Sequence, residues 1–161
     1  MSTLKADAVT AKNTDANISI TGNGSGTVEL GSVTLTGEVS GGDQTLTRVN
    51  LKDYGEITNA IGAIGGGTQD IDLTLGNSVS ATVDTATTTF TFSNPTASNE
   101  GCGFTLVLTN GGSQTVNWPA SVDWAGGTAP ELTAAGVDVL CFWTIDGGTT
   151  WHGFVAGLEM S

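Results

Sequence analysis

Every aromatic residue of this 161-residue chain lies at or beyond Tyr54, and its four tryptophans, Trp118, Trp124, Trp143 and Trp151, fall in the last third. The first fifty residues offer only isolated Val, Ile, Leu and Ala among Gly, Thr, Ser and Asn. Fixing a backbone costs about 1–2 kcal/mol per residue, and side chains this small bury too little apolar surface to offset it unaided. The segment therefore needs a partner surface. That requirement points to a component of an assembly before any motif is considered.

Within that segment the pattern is a ladder of short strands. Ile18 and Ile20, Val28 and Leu30, and Val33 and Leu35 each alternate with polar neighbours at the two-residue period of a half-buried strand. Turn glycines separate them: Gly22, Gly24 and Gly26, then Gly31, Gly37 and the pair Gly41-Gly42. Short strands of small residues have weakly specified register and unpaired edges, and are used most safely by pairing with another chain. Residues 1–52 are thus expected to be an extended arm for oligomerisation and anchoring, either intertwined with other copies or folded back on its own domain.

A different spacing governs residues 53–64, where Tyr54, Ile57, Ile61 and Ile64 recur at intervals of three and four. Asp53 and Glu56 occupy capping positions and Gly65-Gly66-Gly67 supply a stop, so 53–67 is expected to be one short helix and a glycine linker. Gly55 and Gly62 each cost such a helix about 1 kcal/mol against Ala, which makes it dependent on packing. Its isoleucine stripe would lie either on the domain core or on a symmetry axis against copies of itself.

From Thr68 onward alternation is strong, in Ile71-Leu73-Leu75, Val79-Ala81-Val83, Phe90-Phe92, Phe104-Leu106-Leu108 and Val137-Val139-Cys141-Trp143-Ile145. With 24 glycines, abundant Thr and only 3 prolines, the expected class is all-β. Residues 68–161 are expected to form a C-terminal antiparallel β-sandwich of jelly-roll type. The run Val137 to Phe142 is apolar on both faces except at Asp138 and predicts a central strand. Its Leu140–Phe142 face would then be covered by a second sheet or a neighbouring subunit.

Few residues here suit chemistry. A formal net charge of -12, with Lys5, Lys12, Arg48 and Lys52 the only basic side chains, argues against a phosphate-backbone partner, and no nucleic acid is expected. No apolar run of membrane-spanning length and no signal-peptide pattern occur, which predicts synthesis in a cytoplasm without membrane insertion. In that compartment Cys102 and Cys141 are expected to be reduced. His152 is the sole imidazole, and no nucleophile elbow, His-Glu-x-x-His or Cys-x-x-Cys motif is present. Gly22, Gly24 and Gly26 lack the helix and Lys of a phosphate loop and are assigned to a turn. Asp70 and Asp72 share one strand face and could in principle bind a cation or act as acid and base, but a solvated face is the simpler expectation. A small glycan hydrolase would need paired carboxylates in a cleft, which no spacing compels. No catalytic, cofactor-binding or metal residues are assigned.

Thr144-Ile145-Asp146-Gly147-Gly148-Thr149-Thr150-Trp151 resembles the Asp box, a hairpin repeated in sialidases and other β-propeller proteins. Asp146 would accept bonds from turn amides, the glycines would permit positive φ, and Trp151 would pack back on the hairpin. A propeller needs several blades and several copies of the box. One copy stands here, and in that family the box is a fold element away from the catalytic residues.

A broader resemblance spans most of the chain. Ser2-Thr3-Leu4-Lys5-Ala6-Asp7, the 22–26 turn, Val33-Thr34-Leu35-Thr36-Gly37, residues 53–62, and Leu106-Val107-Leu108-Thr109-Asn110-Gly111-Gly112-Ser113 with Trp118-Pro119 are similar to bacteriophage virion proteins, particularly head-decoration and fibre proteins. The resemblance implies a non-enzymatic, usually trimeric structural protein on the particle surface, with the major capsid or a tail protein as partner. The chain has room for an anchor and one domain but not a long shaft, which favours capsid decoration or a short head fibre over a tail fibre. A receptor-binding tip or carbohydrate-binding module is the alternative, with Trp118, Trp124 or Trp151 stacking on a host-surface glycan.

Overall fold

The computed structural model describes residues 48–160. The chain divides at Asn50/Leu51, and Leu51–Ser161 is a compact unit of its own. The strand ladder expected before residue 47, with the 22–26 turn, lies outside the described residues.

The fold is mostly β, in two sheets with almost no helix. Nine strands follow in order: β1 (Thr58–Ile64), β2 (Gly67–Asp72), β3 (Ser78–Val83), β4 (Thr88–Ser93), β5 (Ser98–Thr109), β6 (Val116–Asn117), β7 (Val122–Trp124), β8 (Val137–Asp146) and β9 (Trp151–Met160). Among the described residues, helical geometry is confined to three-residue 3₁₀ turns at Leu73–Leu75, Gly111–Ser113 and Ala125–Gly127. The six-stranded sheet runs β1-β3-β5-β8-β9-β7 and the three-stranded sheet β2-β4-β6.

Odd and even strands thus alternate between sheets as far as β6, and within each sheet they pair in parallel. The chain winds rather than folding into hairpins. Thr58 stands opposite Ser78, and Ser78 opposite Thr105, so one winding is about 20 residues and the next nearer 27. Antiparallel pairing enters only with β5–β8 and β8–β9, and β7 closes the far edge parallel to β9. The antiparallel jelly-roll expected from sequence is therefore corrected, since five of the seven ladders are parallel. Two-residue alternation is the same for either direction, and Gly65-Gly66-Gly67, expected to be a helix stop and linker, is a corner between the sheets of β1 and β2.

The helix expected over 53–64 is also corrected. Residues 58–64 form β1, and Ile61 is the extra residue of a β-bulge: Ala60 pairs with Ser80 and Gly62 with Ala81. Gly62 takes φ +82, which Gly adopts without a Cβ penalty. The inserted residue stretches the inward spacing from two to three between Ile61 and Ile64, imitating a helical stripe. Ile64 is buried and Ile61 packs against the core, while Ile57, before the strand, is 76% exposed.

The core lies between the sheets. Ile71 and Phe90 from the small sheet join Val79, Val83, Leu106, Leu108 and Leu140 from the large one, all fully buried. Phe92 on β4 reaches across to Phe104, Phe142 and Trp151 on three strands of the large sheet, with ring centroids 4.9, 5.0 and 5.4 Å away. Leu140 and Phe142 are thus covered by the second sheet. Asp138, fully buried beside them, accepts from Thr133 N (2.7 Å), Thr133 Oγ1 (2.6 Å) and Glu159 N (3.2 Å), tying the loop before β8 to the end of β9.

Candidate functional site

The Asp-box-like segment forms the β8–β9 turn. Asp146 Oδ1 accepts from Thr144 Oγ1 (2.8 Å) and Thr150 N (2.9 Å), while Thr144 Oγ1 accepts from Gly148 N (3.1 Å). The Thr150 amide first, then the Thr144 hydroxyl, holds the Asp146 carboxyl below its ordinary value of 3.8. Gly147 and Gly148 have φ of 66° and 81°, and a Cβ on Gly148 would lie 3.1 Å from Trp151 Nε1. The carboxylate thus braces a tight turn that delivers Trp151 into the core at 1% exposure. Its Oδ1 is held by the fold.

Asp70 and Asp72 occupy the outward face of β2, the solvated strand face expected from sequence. Asp70 accepts from Thr91 Oγ1 (2.7 Å) and Ser93 Oγ (2.5 Å) on β4. Asp72 accepts from Asn94 Nδ2 (2.9 Å), Thr74 N (2.9 Å) and Thr74 Oγ1 (2.7 Å), with Asn94 the larger influence in lowering its carboxyl below 3.8. Both act as cross-strand clasps rather than a pair facing a cleft. Among the described residues no group of three or more His, Cys, Asp or Glu is arranged to hold a metal.

The tryptophans put forward as sugar platforms belong to the core. Trp151 and Trp124 are buried, and half-buried Trp118 stacks on Phe90 at 5.3 Å and meets Trp124 edge-on at 5.5 Å. Cys102 and Cys141 are free. Cys102 faces inward opposite Thr144, whereas Cys141 faces outward opposite Thr105, so the two thiols sit on opposite sides of the sheet.

The exposed tryptophan is Trp143, at 47%. It lies on the outward face of β8 in a row with Val139, Cys141 and Ile145. Opposite them on β5 stand Val107, Thr105 and Gly103, and on β9 Phe154 pairs with Cys141 and His152 with Trp143. Ile145 and Phe154 are 58% and 55% exposed. The indole lies flat on the neighbouring strand. A Cβ on Gly101 would meet Trp143 Cζ2 and Cη2, and one on Gly103 would sit 2.8 Å from Cε3, across the same ring. One ring face thus covers the two glycines and the other is bare. A groove of about 250 Å³ runs beside it, lined by Glu56, Asn77, Thr105 and Cys141, with Asn77 Nδ2 donating to Gly103 O at 2.6 Å.

The alternation groups Trp143 with Val139, Cys141 and Ile145 but does not say which face of β8 meets the second sheet; Leu140 and Phe142 do, and the Trp143 row faces outward. A signal was available in Gly101-x-Gly103, because glycines at alternate positions of a strand are often covered by an aromatic ring across the pair. Compared with protein-family models, curated proteins and solved structures, the chain gives no match.

Proposed function

We propose that this chain is a non-enzymatic structural protein of a bacteriophage virion, an oligomeric capsid decoration or short head fibre displayed on the particle surface. In this reading it is a homotrimer, and the arm of residues 1–52 anchors the two-sheet domain to the major capsid or a tail protein. The observation that carries the reading is how the domain uses its carboxylates. Asp70, Asp72, Asp138 and Asp146 each accept from hydroxyls or amides of the fold itself, as bracing in a displayed domain would. Asp70 and Asp72 clasp β2 to the β4 side, and Asp138 and Asp146 brace a loop and a turn, so these carboxylates serve the wound sheets.

Deleting residues 1–50 tests the division of labour. The truncated domain should remain folded, with an unchanged near-UV signature from its tryptophans, yet fail to co-sediment with particles lacking the protein, while full-length chain binds them. Equal binding by the truncated form would place the contact on the domain and remove anchoring from the arm.

A second reading, a tail fibre or receptor-binding tip that takes a host-surface glycan, is favoured by Trp143 alone, whose bare indole face suits a sugar ring.

A further inference from the structure

We propose that the outward face of the six-stranded sheet, centred on Cys141, Trp143 and Phe154, is the surface through which copies of this chain pack together; this rests on the oligomeric reading above and assigns its contact residues.

Charge selects the occupant. Copies carrying a net charge of -12 repel one another over most approaches. They can meet closely only over a surface without carboxylates. The outward positions of β3 are Ser78, Ser80 and Thr82, and those of β5 and β8 from Gly103 and Val139 onward are Gly, Thr, Val, Cys, Trp and Ile. No carboxylate stands among them. Glu100 and Glu159 lie near strand ends, Glu56 lines the groove beside Trp143, and Asp123 stands beside His152 on the edge strand β7. In a chain with 16 acidic residues, the outward positions of β3, β5 and β8 are ones that a second acidic copy can cover without burying unpaired charge, with Asp123 left at the rim.

Apolar exposure points the same way. Trp143, Ile145 and Phe154 are each about half exposed on this one face, and grouped exposed apolar side chains mark interaction surfaces. Trp143 is already pinned over Gly101 and Gly103, so docking on its bare side would freeze no further rotamer. Pre-ordered aromatic rings of this kind anchor protein interfaces. A sugar would find few free polar partners on the strand itself, where the outward neighbours of Trp143 are Cys141 and Ile145 and the Asn77 amide is already donated to Gly103 O, so that His152 and Glu56 would have to serve it.

Cys141 reports on the face and Cys102 on the fold, because the first is half-exposed at the patch and the second buried beneath it. In the full-length chain at micromolar concentration, light scattering should give a multiple of the monomer mass, and a maleimide should label neither thiol quickly. Phe154→Glu should yield monomers of unchanged circular dichroism in which Cys141 labels at least about tenfold faster while Cys102 stays protected. If that variant does not fold, Thr105→Lys, on the adjacent strand opposite Cys141, makes the same measurement. Folded variants that keep the oligomeric mass would overturn the assignment and place the contacts elsewhere, leaving the oligomeric reading intact. A monomeric wild-type chain whose tryptophan emission shifts on adding oligosaccharides would overturn both and make the face a glycan site.

Discussion

Phe92 is the strut between the two sheets, and shortening it measures how the domain is held together. Its ring meets Phe104, Phe142 and Trp151 at interplanar angles of 81°, 65° and 81°, all edge-to-face. Each such pair contributes about 0.5–1.5 kcal/mol beyond burial. Phe92→Leu keeps most of the apolar volume and loses all three pairs, so the expected cost is about 2 kcal/mol, taking the lower half of that range. Phe92→Ala adds a cavity and should cost about 4 kcal/mol. The informative control is Phe90→Leu. Phe90 is fully buried, but its one aromatic partner is Trp118, so about 1 kcal/mol is expected there. Burial alone would rank the two leucine variants the other way, because Phe92 is the more exposed. Urea unfolding at fixed protein concentration, followed by tryptophan emission, reads this unit selectively, since all four tryptophans lie in it. A Phe92→Leu midpoint equal to wild type, or a smaller effect than Phe90→Leu, would refute the strut.

Thr88 carries a fully buried hydroxyl without a hydrogen-bond partner among the described residues, so Thr88→Val should raise stability by about 1 kcal/mol in the same urea titration, and a loss would show that the hydroxyl is satisfied. Asp146 and Asp72 are held below 3.8 in the folded chain, so their contribution is present above 3.8 and disappears as pH falls through their folded values. Thermal midpoints by circular dichroism should therefore drop on acidification below 3.8, and the decline should be shallower in Asp146→Asn; a parallel decline would detach the Asp146 brace from acid stability.

The all-β class and the positions of most strands were legible in the alternation from Ile71 to Ile145, because a half-buried strand writes its period directly into the sequence. Strand direction was not, since Val79-Ala81-Val83 reads identically in a parallel or an antiparallel ladder. The helix expected over Tyr54 to Ile64 failed for a local reason. A single bulge residue at Ile61 converts a period of two into an interval of three, and Gly62, one of the two glycines that weakened the helix, marks that bulge. The Asp146 turn was fully readable because its hydrogen bonds span only four residues. The fate of the tryptophans was not readable, because burial of Trp151 and exposure of Trp143 depend on which face of the large sheet meets β4, a contact between residues distant in sequence.

The most direct test of the account is to locate the chain on its particle. Electron cryomicroscopy of virions carrying a small C-terminal tag should show tag density on the outer surface, in clusters of three around each attachment point. A chain absent from purified particles and recovered instead as free protein from the lysate would contradict it.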